Sequence, residues 1–145
     1  MSVVLVNSPL FRDKKIEHDP DDFLPPIGLG YIATQLIEKG VPCLIIDAVA
    51  ENLSVEELIE QLRSISPDFI GVNIFSTNLQ ITKELVERIE FTTTFVFGGN
   101  AVQFLYQELF EWRTNNEIIA VIGDGELIMV DITVKRHLKM TICAR

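Results

Sequence analysis

Five short apolar runs divide the chain and predict five β-strands. Glycine, proline, asparagine and aspartate residues bound these runs, as is usual for strands. The runs span residues 3–6, 42–47, 69–75, 92–97 and 118–122. The third run lacks strict polar alternation, which favours a strand buried on both faces of a parallel sheet. Gly71 inside this run and Pro67 before it argue against a buried helix, so we expect a strand around which the sheet is organised.

Between the strands, apolar residues recur at helical spacing and predict five helices. Ile32, Leu36 and Ile37 mark the first helix, and Gly40 is a suitable residue to end it. Ser54 and Glu57 have the spacing of a capping box at the start of the second helix. The other predicted helices cover residues 81–89, 104–110 and about 127–138.

The strict alternation of strands and helices predicts an α/β fold. It requires a parallel sheet with helices on both faces, joined by right-handed crossovers. With five strands, the natural choice is a flavodoxin-like (Rossmann-like) sheet in the order 2-1-3-4-5. We expect one domain over residues 1–138, with residues 139–145 forming a C-terminal tail or the start of a linker.

The loops that follow the strands supply the candidate site. Ligands of open parallel sheets bind beyond the carboxyl ends of the strands, where the strand order reverses. Four of the loops at this edge are rich in small or polar residues, and they contain Asn7, Leu10, Ser76, Thr77, Asn78, Gly98, Gly99, Asn100, Gly123, Asp124, Gly125 and Glu126. Taken singly, such residues also occur in ordinary strand-to-helix turns and helix caps. Their agreement across four loops is the main functional signal.

Composition and charge narrow the function classes. The 145 residues are 48% hydrophobic and carry a net charge of -9, which fits one globular domain and disfavours nucleic acid as a partner. No apolar run approaches the roughly 20 residues that span a membrane. The amino-terminal residues lack a secretory signal, and the two cysteines fit a reducing compartment, so we expect a cytoplasmic location.

The identity and spacing of the residues exclude several well-known kinds of binding site and active site. Gly28 and Gly30 follow a long loop and do not form a dinucleotide-binding fingerprint. Asn7 and Ser76 stand where a phosphorylated receiver domain needs acidic residues. Cys43 and Cys143 are too few and too far apart for a metal motif. No set of residues for nucleophilic catalysis can be placed on one edge, so we expect this chain alone to catalyse nothing.

Five segments together carry a resemblance to a known family. They are Val6-Asn7-Ser8-Pro9-Leu10, the residues 25–33 (PPIGLGYIA), the residues 67–72 (PDFIGV), Phe97-Gly98-Gly99-Asn100 and Gly123-Asp124-Gly125-Glu126. In this order and spacing they resemble the N-terminal cobalamin-binding domain of cobalamin-dependent radical SAM enzymes. The resemblance extends from Val3 to about Leu138.

The resemblance implies how a corrinoid would lie on the domain. It would cover the carboxyl ends of the strands, with its dimethylbenzimidazole tail entering the sheet edge. Tail and linker would contact Ser76, Thr77, Gly98, Gly99 and Asn100. The corrin or its amides would lie beside Gly123, Gly125 and Glu126, above Leu10 and near Leu29 and Gly30.

Two departures from related domains matter. Mutases and methionine synthase place a cobalt-ligating histidine in an Asp-x-His-x-x-Gly motif, and His18 lies in the corresponding loop. Ile16 and Asp21 occupy the Asp and Gly positions, so we expect cobalamin to be held without a protein histidine ligand. The Cys-x-x-x-Cys-x-x-Cys motif of the family's iron–sulfur cluster is also missing. We expect that cluster, and S-adenosylmethionine, only in a separate domain.

The sequence therefore supports two hypotheses. In the first, this is a cobalamin-binding accessory domain whose partner is a radical SAM catalytic domain, in cis or in trans. In the second, it is a degenerate module that binds no corrinoid and serves for packing or protein interaction. The missing histidine motif and the short link between the third helix and the fourth strand favour the second hypothesis. The glycine-rich edge favours the first.

Overall fold

A computed structural model describes residues 2–13 and 24–135 of the chain. The strands are β1 (Val3–Asn7), β2 (Cys43–Asp47), β3 (Phe69–Asn73), β4 (Thr94–Gly98) and β5 (Glu117–Ala120). The helices are α1 (Ile27–Glu38), α2 (Val55–Ile65), α3 (Leu79–Arg88), α4 (Val102–Leu109) and α5 (Gly125–Val134). Strands and helices alternate without exception in this part of the chain, as the hydrophobic pattern predicts.

All strand pairs are parallel, and the sheet order is β2-β1-β3-β4-β5. This confirms the predicted flavodoxin-like α/β fold. The chain moves outward from β1 to β2, returns past β1 to β3, and continues to β5. Strand order thus reverses between β1 and β3, and the loops after these two strands diverge to opposite faces.

The two faces of the sheet are covered by different helices. On one face, α2, α3 and α4 pack on alternate strand residues such as Val6, Ile70 and Phe97. On the other, α1 and α5 pack on the intervening residues, including Leu5 and Val96. Because successive side chains of a strand point to opposite faces, each strand contributes to both clusters.

Local sequence signals explain how several of these elements begin and end. The Ser54 hydroxyl accepts a hydrogen bond from the Glu57 backbone N–H, and the Glu57 carboxylate accepts one from the Ser54 N–H, which confirms the predicted capping box. The link from α3 to β4, residues 89–93, is held by the side chain of Asn116. Its amide donates to the carbonyls of Ile89 and Phe91 and accepts from the N–H of Thr93. The short link is therefore compatible with a regular sheet.

Some predictions fall outside the described residues. His18, Cys143 and the tail at 139–145 lie there, and the domain bounds of 1–138 stay a prediction. Helix α5 ends at Val134, with Lys135 as its C-cap. Within residues 2–13 and 24–135, no helix has both the length and the hydropathy needed to cross a membrane.

Candidate functional site

A cavity of about 310 Å³ opens at the carboxyl edge of the sheet, under α1 and α5. Its floor consists of apolar residues of the sheet, and its cover consists of apolar residues of the two helices. The floor includes Leu5, Gly71, Val96 and Val121, and the cover includes Leu29, Ile32 and Met129. The rim is polar or glycine-rich and is formed by Asn73, Gly98, Gly99, Asn100, Gly123, Asp124, Gly125 and Glu126. Such a cavity suits a ligand with flat apolar faces and a polar edge.

The depth of the cavity depends on Gly71, in the centre of β3. In the sheet register Gly71 lies between Leu5 of β1 and Val96 of β4, on the cavity face. A Cβ at position 71 would lie 2.6 Å from Leu5 Cδ2 and 3.7 Å from Met129 Cε. Any side chain here would push Leu5 aside and occupy the floor, so glycine keeps this space open.

The rim after β4 depends on Gly99. Its φ of +104° is a conformation that other L-residues rarely adopt. A Cβ on Gly99 would lie 2.7 Å from the Ile74 carbonyl oxygen and would overlap Asn73 Oδ1. At Gly98, by contrast, a Cβ would meet nothing within 4 Å. Gly99 therefore lets the β4–α4 turn lie directly against the end of β3.

The end of β3 differs from the sequence-based expectation. The apolar run continues to Phe75, but the strand ends at Asn73. The Asn78 side chain closes the following turn: its Oδ1 accepts from the Phe75 N–H at 2.8 Å, and its Nδ2 donates to the Asn73 carbonyl at 2.9 Å. Nδ2 is also 2.9 Å from the Ser8 hydroxyl, which ties this turn to the loop after β1. Asn78 is 1% exposed, so its amide acts inside the protein.

The predicted site residues separate into two groups. One group surrounds the cavity and contains Leu29, Gly98, Gly99, Asn100, Gly123, Asp124, Gly125 and Glu126. The other group lies outside the cavity wall and contains Leu10, Gly30, Ser76, Thr77 and Asn78. Of these, Ser76 and Thr77 are exposed on the β3–α3 turn, and Leu10 is exposed after β1. Contact of any of these residues with a cofactor stays a prediction.

Other residues of the cavity wall were not predicted from the sequence. Gly71, Asn73 and Met129 are the most informative of them. An isolated glycine inside a strand often marks a close approach of other groups, which was an available signal for Gly71. Asn73 is the first polar residue of the run. The apolar residues Ile74 and Phe75 follow it, so the sequence did not indicate that the strand ends at Asn73. Met129 looked like an ordinary core position of α5.

At the carboxyl ends of β1 and β2, two polar side chains are hydrogen-bonded to each other. Asn7 Nδ2 donates to Asp47 Oδ1 at 2.8 Å, and the same oxygen accepts from the Ala50 N–H at 3.1 Å. These bonds join the ends of β1 and β2. Within the described ranges, no three His, Cys, Asp or Glu side chains are grouped as a metal site requires.

The clearest pKa shifts in the described part of the chain lie away from the cavity. Burial raises the pKa of the Cys43 thiol on β2 to about 11. On the outer surface of α2, hydrogen bonds from Arg88 lower the pKa of the Glu56 carboxyl. The cavity itself is apolar with a polar rim, which is an arrangement for binding.

Comparisons with known proteins agree with this arrangement. A family model described as a B12 binding domain matches residues 18–133. The chain is also similar to a protein of Cereibacter sphaeroides described as anaerobic magnesium-protoporphyrin IX monomethyl ester cyclase, with 25% identity over 112 residues. The match covers 74% of this chain and 18% of the relative, so the chain spans less than a fifth of that protein. No solved structure matches the chain.

Proposed function

The chain belongs to the B12-binding domain family, and on this premise we propose that it binds cobalamin at the carboxyl edge of its sheet. The observation that carries the proposal is the cavity under α1 and α5, whose floor is kept open by Gly71 and whose rim is closed by Gly99. Neither position could accept a Cβ without displacing its neighbours. The cavity would hold the base of the nucleotide tail, and the corrin would lie outside it.

The residues present fit such a group. The walls supplied by Leu5, Val96 and Met129 are apolar and suit the two faces of an aromatic base. Asn73 belongs to the rim, and its buried side-chain Oδ1 has no hydrogen-bond partner among the described residues. A base with a polar edge can therefore be both enclosed and oriented.

The chain's own role would be to bind and orient the cofactor. When bound, cobalamin supplies the cobalt chemistry that amino acid side chains lack. Gly99 would keep the β4–α4 turn against the end of β3, and the tail would lie along this part of the rim. Cobalt would have no histidine ligand from this chain, since Ile16 replaces the acidic partner that normally orients such a histidine.

We further propose that the domain is an accessory to a radical SAM catalytic domain, in cis or in trans. Support comes from the five segments that resemble the cobalamin-binding domains of such enzymes and from the similarity to the cyclase. The association with a radical SAM domain is tested by determining whether the reading frame continues past Arg145. Continuation past Arg145 into a Cys-x-x-x-Cys-x-x-Cys motif supports fusion in cis, and a partner carrying that motif elsewhere supports association in trans.

Cobalamin binding is tested by equilibrium dialysis of the 145-residue chain against hydroxocobalamin. We expect weak uptake, with an absorption spectrum that shows the tail displaced from cobalt. The variant Gly99→Val should lose most of this binding, because its side chain would overlap Asn73 and the Ile74 carbonyl.

The matched control is Gly40→Val. Gly40 also has a positive φ, +76°, but a Cβ there would meet nothing within 4 Å, and it lies at the opposite edge of the sheet. We expect Gly40→Val to strain its turn and to leave binding unchanged. Absence of uptake by the parent chain at high micromolar cobalamin would favour the packing or protein-interaction module instead.

A further inference from the structure

The side-chain amides of two asparagines at the β3–α3 turn differ in their hydrogen bonding. The amide of Asn78 is buried and makes three hydrogen bonds, to the Phe75 N–H, the Asn73 carbonyl and the Ser8 hydroxyl. Asn73 is one of the residues that line the cavity, and its side-chain Oδ1 is buried without a partner in the described part of the chain. The turn thus fixes the backbone of Asn73 and leaves its side-chain amide for another group.

An unpaired buried carbonyl is costly. Leaving such a group without a donor is unfavourable, because its lost contact with water is not replaced, and native structures contain few examples. Here the packing explains why the carbonyl is not hydrated: Oδ1 lies against Gly99, where a Cβ would overlap it. A ligand that brings an N–H donor to this amide would remove the cost, and a ligand without one would retain it.

The position of the amide determines which donor can reach it. Asn73 is opposite Gly98 in the sheet register and forms one side of the cavity mouth. Torsions between sp³ and sp² atoms are broad, so rotation about χ2 can turn the edge of the amide toward the cavity. That edge then presents a donor and an acceptor side by side.

Aminopurines match such an edge. Asparagine can pair with adenine through two hydrogen bonds, one from the exocyclic amino group and one to an adjacent ring nitrogen. In adeninylcobamide N7 carries the ribose, so the edge that remains free for such a pair is formed by the amino group and N1. The apolar walls formed by Leu5, Val96 and Met129 suit the two faces of the same ring. Dimethylbenzimidazole has no amino group, so it could accept one hydrogen bond from Nδ2 but would leave Oδ1 unpaired.

We propose that Asn73 is a specificity-determining residue that makes the cavity prefer a corrinoid with a 6-aminopurine lower base over one with dimethylbenzimidazole. The proposal rests on the proposed function, because it assumes that the lower base enters this cavity. A site that hydrogen-bonds a polar group discriminates strongly against an analogue that lacks it, because the protein group is then left unpaired.

The experiment measures dissociation constants of the full chain for three corrinoids by equilibrium dialysis. They are adeninylcobamide, cobalamin and cobinamide, which has no lower base. Each is measured with the parent chain and with Asn73→Leu, which has a similar volume and no polar atoms. The readout is the ratio of the dissociation constant for cobalamin to that for adeninylcobamide. The energy needed to detach each base from cobalt is the same with both proteins, so it cancels when the ratios of the parent and the variant are compared.

We expect this ratio to be about tenfold or more higher in the parent than in Asn73→Leu, as one bidentate amide–adenine pair provides. Cobinamide should bind equally to both. The variant Asn73→Ser, with a single small hydroxyl, is the second test if Asn73→Leu folds poorly, and it should lower the ratio too. Equal ratios in the parent and the folded variants would overturn the inference.

Two further outcomes separate the inference from the function on which it rests. Failure of all three corrinoids to bind the parent would overturn both. Adenosine 5′-monophosphate is included to distinguish an aminopurine on a corrinoid from a free nucleotide. It should bind far more weakly than adeninylcobamide, and equal affinity would overturn the assignment of the ligand as a corrinoid.

Discussion

The two faces of the sheet are built from the same five strands and differ in side-chain volume. Beneath α2, α3 and α4, the rings of Phe95 and Phe97 stack at 5.8 Å between centroids, and Trp112 meets Phe97 edge-on at 5.6 Å. Beneath α1 and α5, the middle strand of the sheet has Gly71, which lies beside Val96 and contributes no side chain. One face is filled, and the other contains the cavity.

Because of this difference, we expect one face to stabilise the fold and the other face to bind the ligand. Close packing provides dispersion contacts and burial, so the aromatic face should account for most of the stability that the sheet gains from its helices. The cavity face has fewer packing contacts around Gly71 and therefore has room for a ligand. Substitutions should therefore affect stability on one face and binding on the other.

The largest expected effect is on the filled face. Phe97 is fully buried, and Phe97→Ala should lower the free energy of unfolding by about 3–5 kcal/mol, because it removes a ring and leaves a void. Urea denaturation followed by circular dichroism measures this loss. A loss below about 1 kcal/mol would mean that this face is not the stabilising one.

On the cavity face, Gly71→Ala should affect binding more than stability. The new methyl group would push Leu5 into the cavity, and we expect cobalamin affinity to fall about tenfold, or 1.4 kcal/mol. The free energy of unfolding should change by less than about 1 kcal/mol, since replacing glycine also restricts the unfolded chain.

Restoring the lost space is the control for Gly71→Ala. Leu5→Val removes the Cδ2 atom that the new methyl group would meet, so the double variant should recover part of the affinity. Dialysis of the single and double variants provides the comparison. If the affinity of Gly71→Ala equals that of the parent, the base does not reach the floor of the cavity.

A smaller effect is expected at the start of α2, on the filled face. Ser54→Ala removes the capping box with Glu57 and should cost about 1 kcal/mol of stability. Thermal unfolding and dialysis measured on the same preparation should show a lower midpoint and unchanged cobalamin binding. Loss of binding at this distance from the cavity would show that the two faces are coupled.

No effect is expected at His18, which lies outside the described residues. His18→Ala should leave the spectrum and affinity of bound cobalamin unchanged, because no acidic residue stands two positions before it to orient the ring. The measurement is the electron paramagnetic resonance spectrum of the cob(II)alamin complex. Hyperfine splitting from a protein nitrogen that disappears in His18→Ala would contradict this prediction.

The sequence by itself determined the order of the elements and the parallel sheet. Periodicity along the chain is local, so runs such as residues 69–75 and the capping box at Ser54 could be read directly. The strand order followed from the right-handed connections that parallel strands require. The turn glycines Gly99 and Gly123 were likewise visible, because positive φ favours glycine.

Only the tertiary structure showed that Asn73 lines the cavity. Asn100, Asp124 and Glu126 were predicted from the sequence and line it too, whereas Asn73 was not predicted, because the strand ends two residues before the apolar run does. That ending depends on Asn78, whose amide bonds Ser8, a residue 70 positions away in the chain. Hydrogen bonds between distant segments leave no periodic pattern in the sequence, so the place of Asn73 on the cavity wall could be recognised only once the loops after β1 and β3 were brought together.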